Sequence, residues 1–442
     1  MLSFFLGVAV TYNDLFFQSG GLAEERVGQL RTINTTQATE TDTPIVEAEV
    51  VPDETLPPED HQITLPTLTS TRSGPISQYS SHFHPASPEL LESIQTLIEP
   101  RVWDFWPRNQ SLPCFAPDEE LGWLLEWDLH NGGYRGKNSK LGGGLFMTKP
   151  AKVGGSTAAG VHLRIMHQLS ERLEKDFAVC RGNFRHGPAW HYKDIAKQSF
   201  LWSIVRDPTK RAISEFFHFQ VSRAKMEPTE TNFLGKLKML PPLPKNFHKV
   251  GHYGEVLSLE SKRNKRKMDA LDVYKGILES YNFIAVTERM DESLVVLKEL
   301  LGLKTSDILY LSAKQNGGWD DGKAGGCVLI QKSYVSPGMH EVFESHEWLS
   351  KNEYEMALHV AVNKSLDLTI DERIGRNRFE KVLAEYQHLQ QLVRRRCEEE
   401  AKYPCTAEGK RRNDDETDCY WGDAGCGFPC IDRVVAEFKL GR

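Results

Sequence analysis

The chain has 442 residues, 40% hydrophobic and 26% charged, with a formal net charge of −7. That length suffices for one large domain with appendages. The mildly acidic balance excludes a general, charge-driven affinity for nucleic acid, which is therefore not expected among its partners.

Residues 1–19 open on the apolar run Met1-Leu-Ser-Phe-Phe-Leu-Gly-Val-Ala-Val10. A membrane span needs about 20 such residues, and Asn13 and Asp14 interrupt this run. No basic residue precedes it, as a signal peptide would prefer. It reads as the remnant of a signal-anchor or as a plain disordered end. Residues 20–97 are rich in Thr, Ser, Pro and Glu with few aromatics. Such a segment cannot bury enough apolar surface to fold alone, so a disordered stem is expected. The folded part is expected over residues 98–396. Trp103, Trp106, Trp123 and Trp127 cluster near its start; they read as core or domain-edge packing, with a sugar-stacking platform as the alternative.

Gly144-Leu-Phe-Met-Thr148 is a short apolar, strand-like run. Gly154 and Gly155 allow a tight turn and close backbone approach, and Ser156 and Thr157 are placed to cap the helix that follows. That helix carries Val161, Ile165, Leu169 and Leu173 at four-residue spacing, a buried stripe. Its first N–H groups lack partners within the helix and its dipole favours an anion there, while Lys152 adds a positive charge at the mouth of the turn. A nucleotide-triphosphate P-loop would need Gly-Lys followed by Ser or Thr; here the lysine precedes the glycines, which removes the magnesium-ligand logic of a kinase or NTPase.

Ser199 to Val205 is a near-continuous apolar run, as expected of a parallel strand buried on both faces. Asp207-Pro208 ends it, with Pro208 suited to the first turn of a helix. Arg206 stands at the C-terminal tip, the edge where open α/β sheets bind ligands. Ser214 lies roughly two helical turns on and offers a hydroxyl. An Arg–phosphate contact of this kind contributes roughly 1.5–3 kcal/mol. Two anion sites on neighbouring strand ends imply one ligand with two separate phosphates. The bland reading is a strand–turn–helix with a surface lysine and an arginine paired to Asp207 or a helix end.

Between Met226 and Met268 the prolines of Pro241-Pro-Leu-Pro244 argue for a loop or loose insertion. The run Lys262-Arg-Asn-Lys-Arg-Lys267 is a solvated basic face or a docking point for an acidic glycan. From Ile374 to Arg396, apolar residues at three- and four-residue steps (Ile374, Phe379, Val382, Leu383, Tyr386, Leu389, Leu392) predict a helix, and Arg394-Arg-Arg396 suits its C-terminal end. Of eight cysteines, five fall in the last 46 residues. The tail, residues 397–442, has no evident core and reads as disulfide-stapled, with a zinc site as the alternative. An odd number in the tail requires one to pair with Cys114, Cys180 or Cys327, or to stay free. Sequons stand at Asn34, Asn109 and Asn363.

Lys152-Val-Gly-Gly-Ser-Thr157 and Arg206-Asp-Pro-Thr-Lys-Arg-Ala-Ile-Ser214 together resemble the sulfotransferase family, especially its Golgi-type carbohydrate members. The first is similar to the family's 5′-phosphosulfate loop and the second to its 3′-phosphate motif. Tyr281-Asn-Phe-Ile-Ala-Val-Thr-Glu-Arg-Met-Asp291 looks like the later strand and helix of that family, and Asn352-Glu-Tyr-Glu-Met-Ala357 like its late helix. One departure is Pro150-Ala151, since many relatives have proline immediately before the lysine. The resemblance implies an α/β, P-loop-like three-layer sandwich, with a mainly parallel central sheet between helices and a Cys-rich C-terminal tail. It implies 3′-phosphoadenosine 5′-phosphosulfate (PAPS) as donor and a carbohydrate hydroxyl as acceptor, the glycan being neutral or polyanionic, with no metal required. Lys152, Val153, Gly154, Gly155, Ser156 and Thr157 would hold the 5′-phosphate, Lys152 also acting in catalysis; Arg206 and Ser214 would hold the 3′-phosphate. Some uronyl 2-O-type members carry a His-Gly element between the motifs, which makes His186 the first candidate for the base and His191 the second. A Golgi-lumenal, type II membrane or secretory protein is implied. The competing functions are a silent glycan- or nucleotide-binding protein on the same scaffold and a P-loop kinase.

Overall fold

A computed structural model of the chain describes residues 86–107, 144–172, 183–238, 251–315, 317–320 and 326–438. The N-terminal run, most of the stem, Trp123, Trp127, Leu173, Pro241–Pro244, Cys114, Cys180, Asn34 and Asn109 lie outside them. The described residues fall within one compact unit, 77–442. None of its described helices is long and apolar enough to cross a membrane.

The centre is a four-stranded parallel sheet in the order β2-β1-β3-β4: β1 Leu145–Thr148, β2 Asn183–Arg185, β3 Phe200–Val205 and β4 Phe283–Val286. Every residue of β1, β3 and β4 is buried, which is why their sequences read as unbroken apolar runs rather than alternating ones. The register sets Thr148 opposite Ser203 and Val205 opposite Val286, so β1 stops two residues short of β3, which ends level with β4. Polar stitches reinforce it. Ser203 Oγ donates to the Thr148 carbonyl at 2.9 Å, and Thr148 Oγ1 lies 2.8 Å from the Tyr281 hydroxyl.

Helices flank the sheet: α1 Gly155–Arg172, α2 Pro208–Glu215, α3 His252–Leu257, α4 Ala270–Ser280, α5 Met290–Leu301, α6 Glu353–Thr369, α7 Arg376–Cys397 and α8 Phe428–Glu437. The expected stripe of α1 is present, with Val161, Ile165 and Leu169 fully buried. Asp207 caps α2, its carboxylate accepting from the Lys210 N–H at 2.9 Å, with Pro208 in the first turn. The predicted C-terminal helix is α7; Phe379, Tyr386, Leu389 and Val393 form its buried stripe. Trp103 is fully buried edge-on against Phe283, and Trp106 packs on the same core, so these two serve packing. The third sequon lies on α6, where the Asn363 amide donates to the His359 carbonyl and Ser365 is buried. In the basic run, Lys265 is buried and its ammonium serves the Gly254 and Glu255 carbonyls and the Glu255 carboxylate, so it braces α3.

The tail departs from the sequence reading. It is stapled as expected, but it has a core: Cys397, Cys430, Ile431 and Val434 join the main apolar cluster. Cys397–Cys430 ties α7 to α8, Cys419–Cys426 closes a turn, and Cys327–Cys405 binds the tail to the chain before it. These six cysteines are oxidised, which removes the zinc alternative for them.

Candidate functional site

The chain leaving β1 turns tightly. Lys152 and Gly154 both take the left-handed backbone, at φ 64° and 72°. For glycine this costs little; for lysine it is a strained conformation of the kind concentrated at working sites. Helix α1 begins at Gly155, so Ser156 and Thr157 lie inside its first turn rather than capping it. Thr157 Oγ1 instead accepts from the Ala313 N–H at 3.1 Å, and Ser156 Oγ takes a contact from the Lys149 ammonium at 3.5 Å. A Cβ at Gly155 would stand 2.7 Å from the Lys149 side chain. The glycine is what lets that lysine lie along the loop. The Val153 side chain is fully buried, leaving only its backbone to face a ligand.

The chain leaving β3 is held by Tyr253 of α3. Its buried hydroxyl accepts from the Arg206 N–H at 2.9 Å and donates to the Arg206 carbonyl. The preceding residue, His252, takes the Ala151 N–H on Nε2 at 3.3 Å, so one short helix braces both turns. Arg211, the second arginine of the motif, is buried and turned away to Glu215 at 2.6 Å and Glu355 at 4.0 Å. Glu355 in turn accepts the Tyr253 N–H. That arginine is structural. Ser214 is half-buried on α2.

The two turns touch. Arg206 Nη1 donates to the Lys152 carbonyl at 3.3 Å. Behind them Thr287, just past β4, places its hydroxyl 2.7 Å from the Val153 carbonyl and 2.9 Å from the Val205 carbonyl. The next residue, Glu288, accepts the Asp207 N–H at 3.1 Å.

A charged cluster missing from the motifs surrounds Lys152. Asp320, on a two-stranded hairpin of β5 Trp319–Asp320 and β6 Val328–Leu329, is fully buried. It receives Arg223 at 2.9 Å, Lys314 at 2.8 Å and His218 at 3.5 Å. His218 and Arg223 belong to a π-helical stretch, Phe216–Arg223, that continues α2. Such stretches are frequent at functional sites. Lys314 also reaches Asp423 of the tail at 2.7 Å. Burial, then the fields of Lys314, Arg206 and Arg223 against the opposing Asp320, bring the Lys152 pKa down to about 8. Burial, then Lys152, Arg223 and Lys314 against the opposing Asp320, bring His218 down to about 3, so it is neutral; its Nδ1 is buried without a hydrogen-bond partner. Sequence reasoning missed this cluster because its members come from three separate stretches, none bearing a motif. The density of glycines between Gly317 and Gly326 was the one available signal.

His186 follows β2 directly and stays exposed to solvent. Crowding by surrounding protein atoms, then Lys149 and Lys314, holds its pKa below the usual histidine range. His191 is exposed and stacks on Trp190 with centroids 3.7 Å apart.

No family model, no curated protein and no solved structure matches this chain.

Proposed function

We propose that the chain is a sulfotransferase on a P-loop-like α/β scaffold, moving the sulfuryl group of PAPS to a hydroxyl of a carbohydrate acceptor. The observation that carries the reading is the contact between the Lys152 turn and Arg206 at the C-terminal ends of the neighbouring strands β1 and β3. Two anion-binding elements in contact suit one ligand bearing two phosphates. The N–H groups of Gly154 to Thr157, at the start of α1, would take the 5′-phosphate. Arg206, with Ser214, would take the 3′-phosphate and fix the register.

In this reading the acceptor oxygen attacks sulfur in line; its new S–O bond forms as the bond to the bridging phosphate oxygen breaks. Lys152 offsets the charge gathering on that departing oxygen. The acceptor's proton passes to His186, which its lowered pKa keeps neutral but also makes a weak base. The three disulfides among the described residues suit an oxidising compartment such as the Golgi lumen.

The test is calorimetry with adenosine 3′,5′-bisphosphate, followed by transfer of labelled sulfate from PAPS to a panel of glycans. Lys152→Ala and Arg206→Ala are expected to lose transfer by 100-fold or more while keeping the wild-type unfolding transition, and His186→Ala to lose about tenfold or more. Retained turnover in the first two variants would remove the assignment. Normal activity of the third across pH would remove His186 as the base. Nucleotide binding without transfer to any acceptor would point to the silent binder.

A further inference from the structure

Lys314 shares with Lys152 a feature uncommon outside glycine. Its backbone is left-handed, at φ 53°. Strain of that kind persists only where the surroundings enforce it, and it clusters at sites that grip ligands. The surroundings here are explicit. The N–H of the preceding residue, Ala313, is tied to Thr157 in the first turn of α1. The Lys314 ammonium stands 2.8 Å from Asp320 and 2.7 Å from Asp423. The Cys327–Cys405 disulfide fastens the hairpin carrying this carboxylate to the tail, with the Cys405 sulfur 3.3 Å from the Asp320 carbonyl oxygen.

Arg223 reaches the same carboxylate from the π-helical stretch, using Nε and Nη2 on one oxygen. Asp320 is 0% exposed, whereas the Arg223 and Lys314 side chains remain 40% and 23% exposed. A buried anion thus positions two cations that still face solvent. Among the described residues, Lys152, Arg206, Arg223 and Lys314 gather about the carboxylates Asp320 and Asp423, and the repulsion of the other cations is felt at Lys152. Cations grouped at the edge of solvent favour an anionic ligand. Nothing in the two phosphate-holding turns requires Arg223 or Lys314.

We propose that Lys314 and Arg223, set in place by the buried Asp320, form a third oxyanion subsite beside Lys152 that takes a sulfonate or carboxylate group. The donor's sulfuryl oxygens and an acidic group on the acceptor sugar are the two sources of that chemistry. The proposal rests on the sulfotransferase reading for these organic ligands, and on the geometry alone for inorganic sulfate.

The experiment compares the full chain with Lys314→Gln and Arg223→Gln, both changed at partly exposed side chains. Calorimetry is run with PAPS and with adenosine 3′,5′-bisphosphate, and transfer is assayed on a uronate-bearing and a neutral glycan. If the sulfuryl group is the ligand, each variant loses about tenfold in PAPS affinity and less than twofold for the bisphosphate. If the acceptor supplies the anion, both nucleotides bind normally and KM rises about tenfold for the uronate glycan alone. Equal losses for PAPS and bisphosphate, or no change in any arm, overturn the subsite. A third arm needs no nucleotide. Sodium sulfate, against sodium chloride at equal ionic strength, should raise the wild-type Tm more than that of either variant. An identical rise in all three proteins also overturns it. A wild type that binds neither nucleotide yet shows the sulfate difference sinks the sulfotransferase reading and leaves the subsite standing.

Discussion

Lys152 combines a left-handed backbone with an ammonium among other cations, and both features oppose its charged form or its conformation in the free protein. With its pKa near 8, it is mostly neutral above that pH, while a bound bisphosphate would restore the charge by raising the pKa. Binding should therefore take up protons in the window between about 8 and the ordinary lysine value near 10.4. At pH 8.5, calorimetry in two buffers of different ionisation enthalpy should report uptake of up to about three quarters of a proton by wild type. Lys152→Ala should lose that uptake. Zero uptake by the wild type would contradict the assigned role. The same sign predicts affinity that weakens as pH rises through 8. Lys152 stood out in the sequence because a lysine two residues before a pair of glycines, after an apolar run, carries its own meaning. Lys314 was not, since its role arises from Thr157, Asp320 and Asp423, which no spacing rule connects to it.

Among the elements, β1 and β3 were legible for one reason, that burial on both faces demands apolar residues throughout, whereas β4 was expected only from the family resemblance. β2 was not, because three residues reading Asn-Phe-Arg carry no period. The brace behind the site was also invisible. Thr287 has one hydroxyl hydrogen and two carbonyls within reach, one from each turn, so it serves them alternately and fixes their spacing. Thr287→Val keeps the shape and removes the hydroxyl. Its loss should cost about 1–2 kcal/mol of stability. It should also weaken binding of adenosine 3′,5′-bisphosphate about tenfold, equivalent to about 1.4 kcal/mol. Thr287→Ser should restore both. Thermal unfolding beside calorimetry separates the two effects, and unchanged nucleotide affinity in the valine variant would show that the turns hold their spacing without it.

Across the whole molecule, the tail from residue 397 packs on the rest of the chain. The tail lies against α1 so closely that a Cβ at Gly160 would stand 2.4 Å from the Gly425 backbone nitrogen. Arg164, buried on the same helix, pairs with Asp432 of α8 at 2.8 Å. Phe184 of β2 meets Trp421 edge-on. The tail looked coreless because its apolar residues are few, and each is buried against another part of the chain rather than against its neighbours. It therefore carries both stability and, through Asp423 and Cys405, part of the site. Replacing Cys397 and Cys430 together by Ser releases a 33-residue closure, which on chain-entropy grounds should cost about 3–4 kcal/mol. The double variant should show a lowered Tm with nucleotide affinity retained at low temperature. Ending the chain at residue 397 should do more: it strips the cover from α1 at Gly160 and Arg164, so the remainder should lose its cooperative transition by calorimetry and circular dichroism. A truncated protein that unfolds as sharply as the full chain would show that the tail is an appendage after all, and that α1 is stable with a buried arginine left without its acidic partner.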